Sequence, residues 1–165
     1  MNRLFFAIWP DAGSVERLRA TAEALAPRVG GRPVPRDNLH VTLAFLGDLD
    51  DARAAAAAAV PLESTAFALA LDRLGSFRRA RVAWAGCTRA PPALLELESR
   101  LSARLRAEGF ALEERPFTPH VTLLRKIERA LPAEAVEVIG WEVKEVTLVQ
   151  SRAGRYGIVK RWVLD

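Results

Sequence analysis

The sequence predicts an α+β chain built from two similar lobes, and three observations carry that prediction. The tetrapeptide HVTL occurs twice, at 40–43 and 120–123, and its histidines, His40 and His120, are the only two in the chain. Each copy follows the same series of parts: a short apolar strand, a proline, a helix-spaced stretch and a loop. Thirty residues separate Pro10 from His40, and twenty-eight separate Pro92 from His120. With 165 residues and 50% apolar content, the chain is expected to form one bilobal domain over 1–165. Each lobe then gives one HVTL strand to a central cleft, about a pseudo-twofold axis.

The elements follow in order. "RLFFAIW" (3–9) reads as a buried strand ended by Pro10. Asp11, Gly13 and Ser14 open a helix whose stripe is Val15, Leu18, Ala22 and Leu25, with Pro27 as its expected end. Glycines and prolines make 27–35 a loop, and Asn38 leads into the strand of His40, which stops at Gly47-Asp48. An alanine-rich helix over 50–60 is closed by Pro61. Strands are expected over 66–77 and 81–86, joined by a basic turn. After Pro91-Pro92, the leucines 94, 97, 101 and 105 stripe a second long helix that Gly109 ends. Beyond an unassigned stretch at 110–117 come the strand of His120, a loop containing Pro132, and strands near 141–149 and 156–164.

Composition narrows the function classes. The net charge is +4, with 21 arginines against 3 lysines, which favours planar, bidentate phosphate contacts over point-charge ones. A compositional bias that also yields 29 alanines explains the same arginines without any ligand. Cys87 is the lone cysteine, so no disulfide forms within the chain and a thiolate metal site is not expected. "MNRLFFAIWP" is too short for a signal segment, and the longest apolar run, 54–60, falls far below the ~20 residues of a membrane helix. A cytoplasmic protein with no membrane association is expected.

Alternation in a strand puts His40 and Thr42 on one face, about 7 Å apart, and does the same for His120 and Thr122. If the lobes face each other, two imidazoles and two hydroxyls converge. That set suits metal-free hydrolysis of a phosphodiester: one imidazole takes a proton from water, the other gives one to the leaving oxygen, and the hydroxyls donate to phosphate oxygens. A bell-shaped rate profile with two apparent pKa values flanking neutrality is expected. One HVTL alone reads as an ordinary strand with a satisfied histidine. For both histidines to carry the same three followers by chance is on the order of one in a few thousand. A metal site lacks a third ligand, because Asp37 and Asp48 flank only the first motif. Ser14, Ser64, Ser76 and Cys87 lie in no nucleophile motif.

"RLFFAIWP", "DNLHVTLAFLG", "RVAWAG", "RPFTPHVTLLR" and the closing Tyr156 and Lys160–Trp162 together resemble the RNA 2',3'-cyclic phosphodiesterases. These were first described as 2'-5' RNA ligases and belong to the two-histidine phosphoesterase superfamily, marked by paired HxTx motifs. The resemblance spans nearly the whole chain. It implies a bilobal two-histidine phosphoesterase fold with two antiparallel β-sheets flanked by helices. It also implies hydrolysis of RNA ends or small nucleotides bearing a 2',3'-cyclic phosphate to a 2'-phosphate, by a monomer needing no metal and no cofactor. On that pattern His40 is the proton donor, His120 the proton acceptor, and Thr42 and Thr122 hold the phosphate. Arg125 sits where the family often has arginine and is expected to bind phosphate, although strict alternation places it opposite His120. Phe5 and Phe45 are expected in the core rather than against a base. Tyr156 fits either a base contact or a strand end, and Arg78, Arg79 and Arg81 suit an RNA backbone if they border the cleft. Reversible 2'-5' ligation, and an RNA phosphate-binding module without turnover, are the alternatives.

Overall fold

The computed structural model describes residues 1–165. In chain order the elements are β1 (Asn2–Ile8), α1 (Ala12–Val29), β2 (Arg32–Pro33), β3 (Val41–Leu49), α2 (Asp51–Ala58), β4 (Phe67–Phe77), β5 (Val82–Gly86), α3 (Pro92–Ala107), β6 (His120–Arg125), β7 (Glu134–Val143), β8 (Glu145–Arg152) and β9 (Arg155–Val163). A 3-10 turn over Arg36–Asn38 leads into β3. No helix is long and apolar enough to cross a membrane.

The strands form an antiparallel path in the order β7-β4-β5-β6-β3-β1-β8-β9, with β2 beside β6. These strands make one nine-stranded sheet; the two sheets expected correspond to its halves, β7-β4-β5-β6 with β2 and β3-β1-β8-β9, which join at the single register pair Val41↔Val121. The repeat anticipated from the sequence is visible in this order. β1-α1-β3 in one half matches β5-α3-β6 in the other, and the HVTL strands are the innermost pair.

Helix α1 starts where Asp11 accepts a 2.8 Å hydrogen bond from the Ser14 amide. It runs two residues past Pro27, because Val29 is buried in the core and Gly30, at φ 75°, caps the last turn with an N–H to Ala26 O. The segment expected as one strand near 141–149 is two strands that break at Lys144, and β7 begins as early as Glu134. Leu69↔Trp141 and Leu71↔Ile139 show why: β7 is specified by pairing with β4, not by its own alternation.

All three helices lie on one side. α1 packs on β6 and β7, α2 on β1 and β3, and α3 on β3 and β4. The main core, with Leu4, Phe6, Ile8, Leu123 and Leu124 fully buried, fills that side. A second, small cluster of Phe5, Ala7 and Val149, edged by Trp9 and Tyr156, stands on the other side of β1. That other side carries the histidines.

Candidate active site

The antiparallel register through Val41↔Val121 runs Thr42 level with His120 and His40 level with Thr122. Residues level across such a pair share a face, so all four polar side chains emerge together. The two histidines are diagonal neighbours, a relation that spans about 7–8 Å. Each motif stands at the start of its strand, His40 one residue before β3 and His120 at the first position of β6.

Both strands bulge at the leucine of HVTL. On β1 the partners of Phe6 and Ala7 are Ala44 and Thr42, which leaves Leu43 unpaired. On β5 the partners of Ala83 and Trp84 are Leu124 and Thr122, which leaves Leu123 unpaired. The extra residue lets two neighbours point into the core, Leu43 with Ala44 and Leu123 with Leu124, and alternation resumes one step out of phase. The fifth residue after each histidine therefore returns to the histidine face. Arg125, placed opposite by strict alternation, is level with Val82 on this side, and its charge acts on His40. Phe45, expected in the core, is 43% exposed, level with Phe5, and lies under the Arg3 guanidinium at 5.3 Å. Phe5 is buried as expected, but in the small cluster beside His40 rather than in the main core.

His40 Nδ1 lies 2.7 Å from the Asn38 carbonyl and His120 Nδ1 lies 2.7 Å from the Thr118 carbonyl. A carbonyl only accepts, so each Nδ1 carries a proton and each neutral ring keeps its lone pair on Nε2. His40 Nε2 meets Thr42 Oγ1 at 2.9 Å, whereas His120 Nε2 has no protein partner. Around His40 stand Phe5, Trp9 and Tyr156, with ring centroids at 4.9, 5.4 and 5.5 Å. Trp9 is fixed by a 2.7 Å bond from Nε1 to the buried Thr147 hydroxyl. His120 has one aromatic neighbour, Phe77, edge-on at 5.0 Å. Phe77 in turn meets Trp84, which lies where a side chain on Gly75 would be, 2.4 Å from its Cβ position.

Burial pushes His40 down from 6.5 to about 4; the Asn38 carbonyl opposes this, and the charges of Arg125 and His120 add to it. His120 is also lowered, first by burial and then by Arg115, with the Thr118 carbonyl opposing. Arg115 comes from the irregular stretch before β6, and nothing in its local pattern distinguishes it from the other arginines of the sequence. Cys87 lies buried enough for its thiol to rise to about 11, which makes it a poor nucleophile. Nowhere do three His, Cys, Asp or Glu side chains gather as a metal-ligating group. A concavity of about 690 Å³ between α3 and Pro61–Glu63 contains none of the histidine-face residues.

This pair of bulged HVTL strands has relatives. The family model of the 2'-5' RNA ligase superfamily matches residues 7–155, which include both motifs. The chain belongs to that superfamily. Within the 2'-5' RNA ligase superfamily, it is 36% identical to the RNA 2',3'-cyclic phosphodiesterase of Escherichia coli, over 99% of this chain and 97% of that one. It is 33% identical to the enzyme of the same name from Aeropyrum pernix, over 81% and 84% of the two chains. Among solved structures, E. coli LigT complexed with 3'-AMP superposes with a TM-score of 0.90 at 36% identity, covering 99% of this chain and 98% of that one. LigT complexed with phosphate superposes with a TM-score of 0.85 at 35% identity, covering 99% and 97%. The α+β fold expected from the sequence is thus the fold that this chain shares with LigT.

Proposed function

We propose that this chain is an RNA 2',3'-cyclic phosphodiesterase that opens the cyclic phosphate at an RNA end to a 2'-phosphate. The observation that carries the reading is the shared face: two imidazoles and two threonine hydroxyls, brought level by one antiparallel register, with Arg125 turned back beside them by a bulge. The names of the E. coli and A. pernix relatives support the reaction, and 3'-AMP and phosphate in LigT support the class of ligand.

In the proposed step, His120 Nε2 takes a proton from water as its oxygen attacks phosphorus. The bond from phosphorus to the 3'-oxygen breaks, and His40 Nε2 gives that oxygen its proton. Thr42, Thr122 and Arg125 donate to the non-bridging oxygens as charge builds on them. The surroundings support this division. His120 Nε2 is free of protein partners, as a base that must reach water requires. The His40 ring lies against aromatic rings, which attract an imidazolium. In the free protein that attraction does not prevail over burial, and His40 is the ring harder to charge. The negative phosphate supplies the difference, so the donor becomes competent only with substrate bound. Phe45, exposed five residues from His40, offers a stacking surface to the terminal base. One copy suffices, because both motifs lie on one chain, and the cytoplasm is the proposed compartment, as expected from the sequence.

The test is product analysis on a short oligonucleotide ending in 2',3'-cyclic phosphate. A 2'-phosphate end, formed equally well in chelator, is the expected result. Joining to a 5'-hydroxyl RNA in preference to hydrolysis would assign the ligase direction, and unchanged substrate after long incubation would leave a binding module.

A further inference from the structure

Three segments meet at the end of the histidine face that carries Arg125. They are Gly30–Gly31 with β2, the four-residue turn Arg78–Arg81 between β4 and β5, and the end of β6. Their packing is close. A Cβ on Gly31 would fall 2.6 Å from the Arg125 carbonyl, the Ile127 amide donates to Arg81 O at 3.1 Å, and Arg81 Nε donates to Ile127 O at 3.0 Å. The corner is therefore built, not a chance crossing of loose ends.

Its charge is predominantly positive, with Glu128 packed against Gly30 as the acid beside it. Arg32 stands directly across from Arg125 in the β2–β6 pairing. Arg78, Arg79 and Lys126 are exposed beside them. None of these five side chains forms an ion pair, whereas Arg28, Arg100 and Arg161 on other surfaces each hold a glutamate. Like charges level across an antiparallel pair are destabilising. Arg81 and Lys126 also hold φ of 54° and 57°, a backbone region that side chains rarely adopt. The repulsion gathered at this corner is relieved by a polyanion. The cations are spread over three segments instead of converging on one point, which suits successive phosphates better than a single one. At its inner end, Arg125 is close enough to act on His40.

We propose that this corner is a landing track for the phosphate backbone of single-stranded RNA leading up to the reacting end, so that oligonucleotides are preferred over cyclic mononucleotides. The proposal rests on the phosphodiesterase reading above and adds the substrate class. It is tested by combining Arg32→Gln, Arg78→Gln, Arg79→Gln and Lys126→Gly, which remove charge without touching Arg125 and relax the φ at 126. For a cyclic-ended oligonucleotide, kcat/KM is expected to fall about tenfold or more, and the slope of log KM against log salt to become shallower by about 0.7 for each phosphate that is no longer neutralised. Cyclic mononucleotide turnover should stay within about twofold, because no reacting group has changed. Parallel loss on both substrates, or no loss on the oligonucleotide, overturns the track. Fluorescence anisotropy with an oligonucleotide ending in a 2'-phosphate reads the same track without turnover. Absence of hydrolysis by the unaltered protein would thus sink the reaction, while equal salt-dependent binding by both proteins would sink the track.

Discussion

The two halves share a backbone and differ in what they put on it. His40 is held at both ring nitrogens and by three aromatic rings; His120 is held at one nitrogen and by one ring. Five residues on, the same bulge delivers Phe45 in one half and Arg125 in the other. Beside the threonines, the first half has Ala7 level with Thr42, and the second has Trp84 level with Thr122, with Gly75 making room for the indole. A repeated strand thus yields an unlike pair, one imidazole bonded at both nitrogens among three aromatic rings and one whose Nε2 is left without a protein partner, a difference that acid and base roles can use.

The largest effect should come from removing either imidazole. His40→Ala and His120→Ala are each expected to lower kcat by about 10² to 10⁴. Their difference should appear with a nitrophenyl phosphodiester, whose leaving group needs no proton. There His40→Ala recovers most of its loss and His120→Ala does not; equal recovery would erase the proposed division of roles.

Next come the hydroxyls. Thr122→Val, which removes a donor with no side-chain partner of its own, is expected to cost about 10² in kcat with the His120 titration unmoved. Thr42→Val should cost as much and also shift the His40 titration, because its hydroxyl meets Nε2 at 2.9 Å. Identical effects on both imidazole titrations, followed by NMR, would argue against the asymmetry.

A smaller effect separates Phe45 from Arg125. Phe45→Ala should raise KM by about tenfold for a nucleotide substrate, as expected when one base no longer stacks, and leave the affinity for inorganic phosphate unchanged. Arg125→Met should weaken both and raise the His40 pKa, since the guanidinium charge now depresses it. If Phe45→Ala weakens phosphate as strongly as Arg125→Met, the two positions are not differentiated.

The smallest and most diagnostic effects are in pH. Both imidazoles titrate below 6.5 in the free protein, so the kcat/KM profile should be a bell on the acid side of neutrality, not one flanking it as the unperturbed values suggest. The kcat profile, which reports the complex, should lie higher because bound phosphate favours charged rings. For stability the sign is fixed: a lowered histidine pKa means the unfolded chain binds more protons. The contribution is intact above 6.5 and is lost as pH falls towards about 4. His40→Asn should flatten the acid limb of a thermal-melt series; an unchanged limb would mean that burial of this ring does not govern it.

Much of this was legible in the chain. The duplicated HVTL and the matched intervals before it announced the repeated strand-helix-strand order and the pairing of the two motif strands, because strand alternation and helix spacing are local rules that a repeat makes visible. The apolar stripe of α3 and the Asp11 start of α1 were equally local. What tertiary pairing decided was phase and surroundings. The bulges at Leu43 and Leu123 exist only relative to β1 and β5, so no alternation rule could return Phe45 and Arg125 to the histidine face. Likewise β7 owes its length to β4, and the lowered histidine pKa values come first from burial by packed neighbours and then, for His40, from the guanidinium of Arg125 on the partner strand. Chemistry by residue type is written along the chain; register and dielectric surroundings belong to neighbours, and neighbours are chosen only when strands pair.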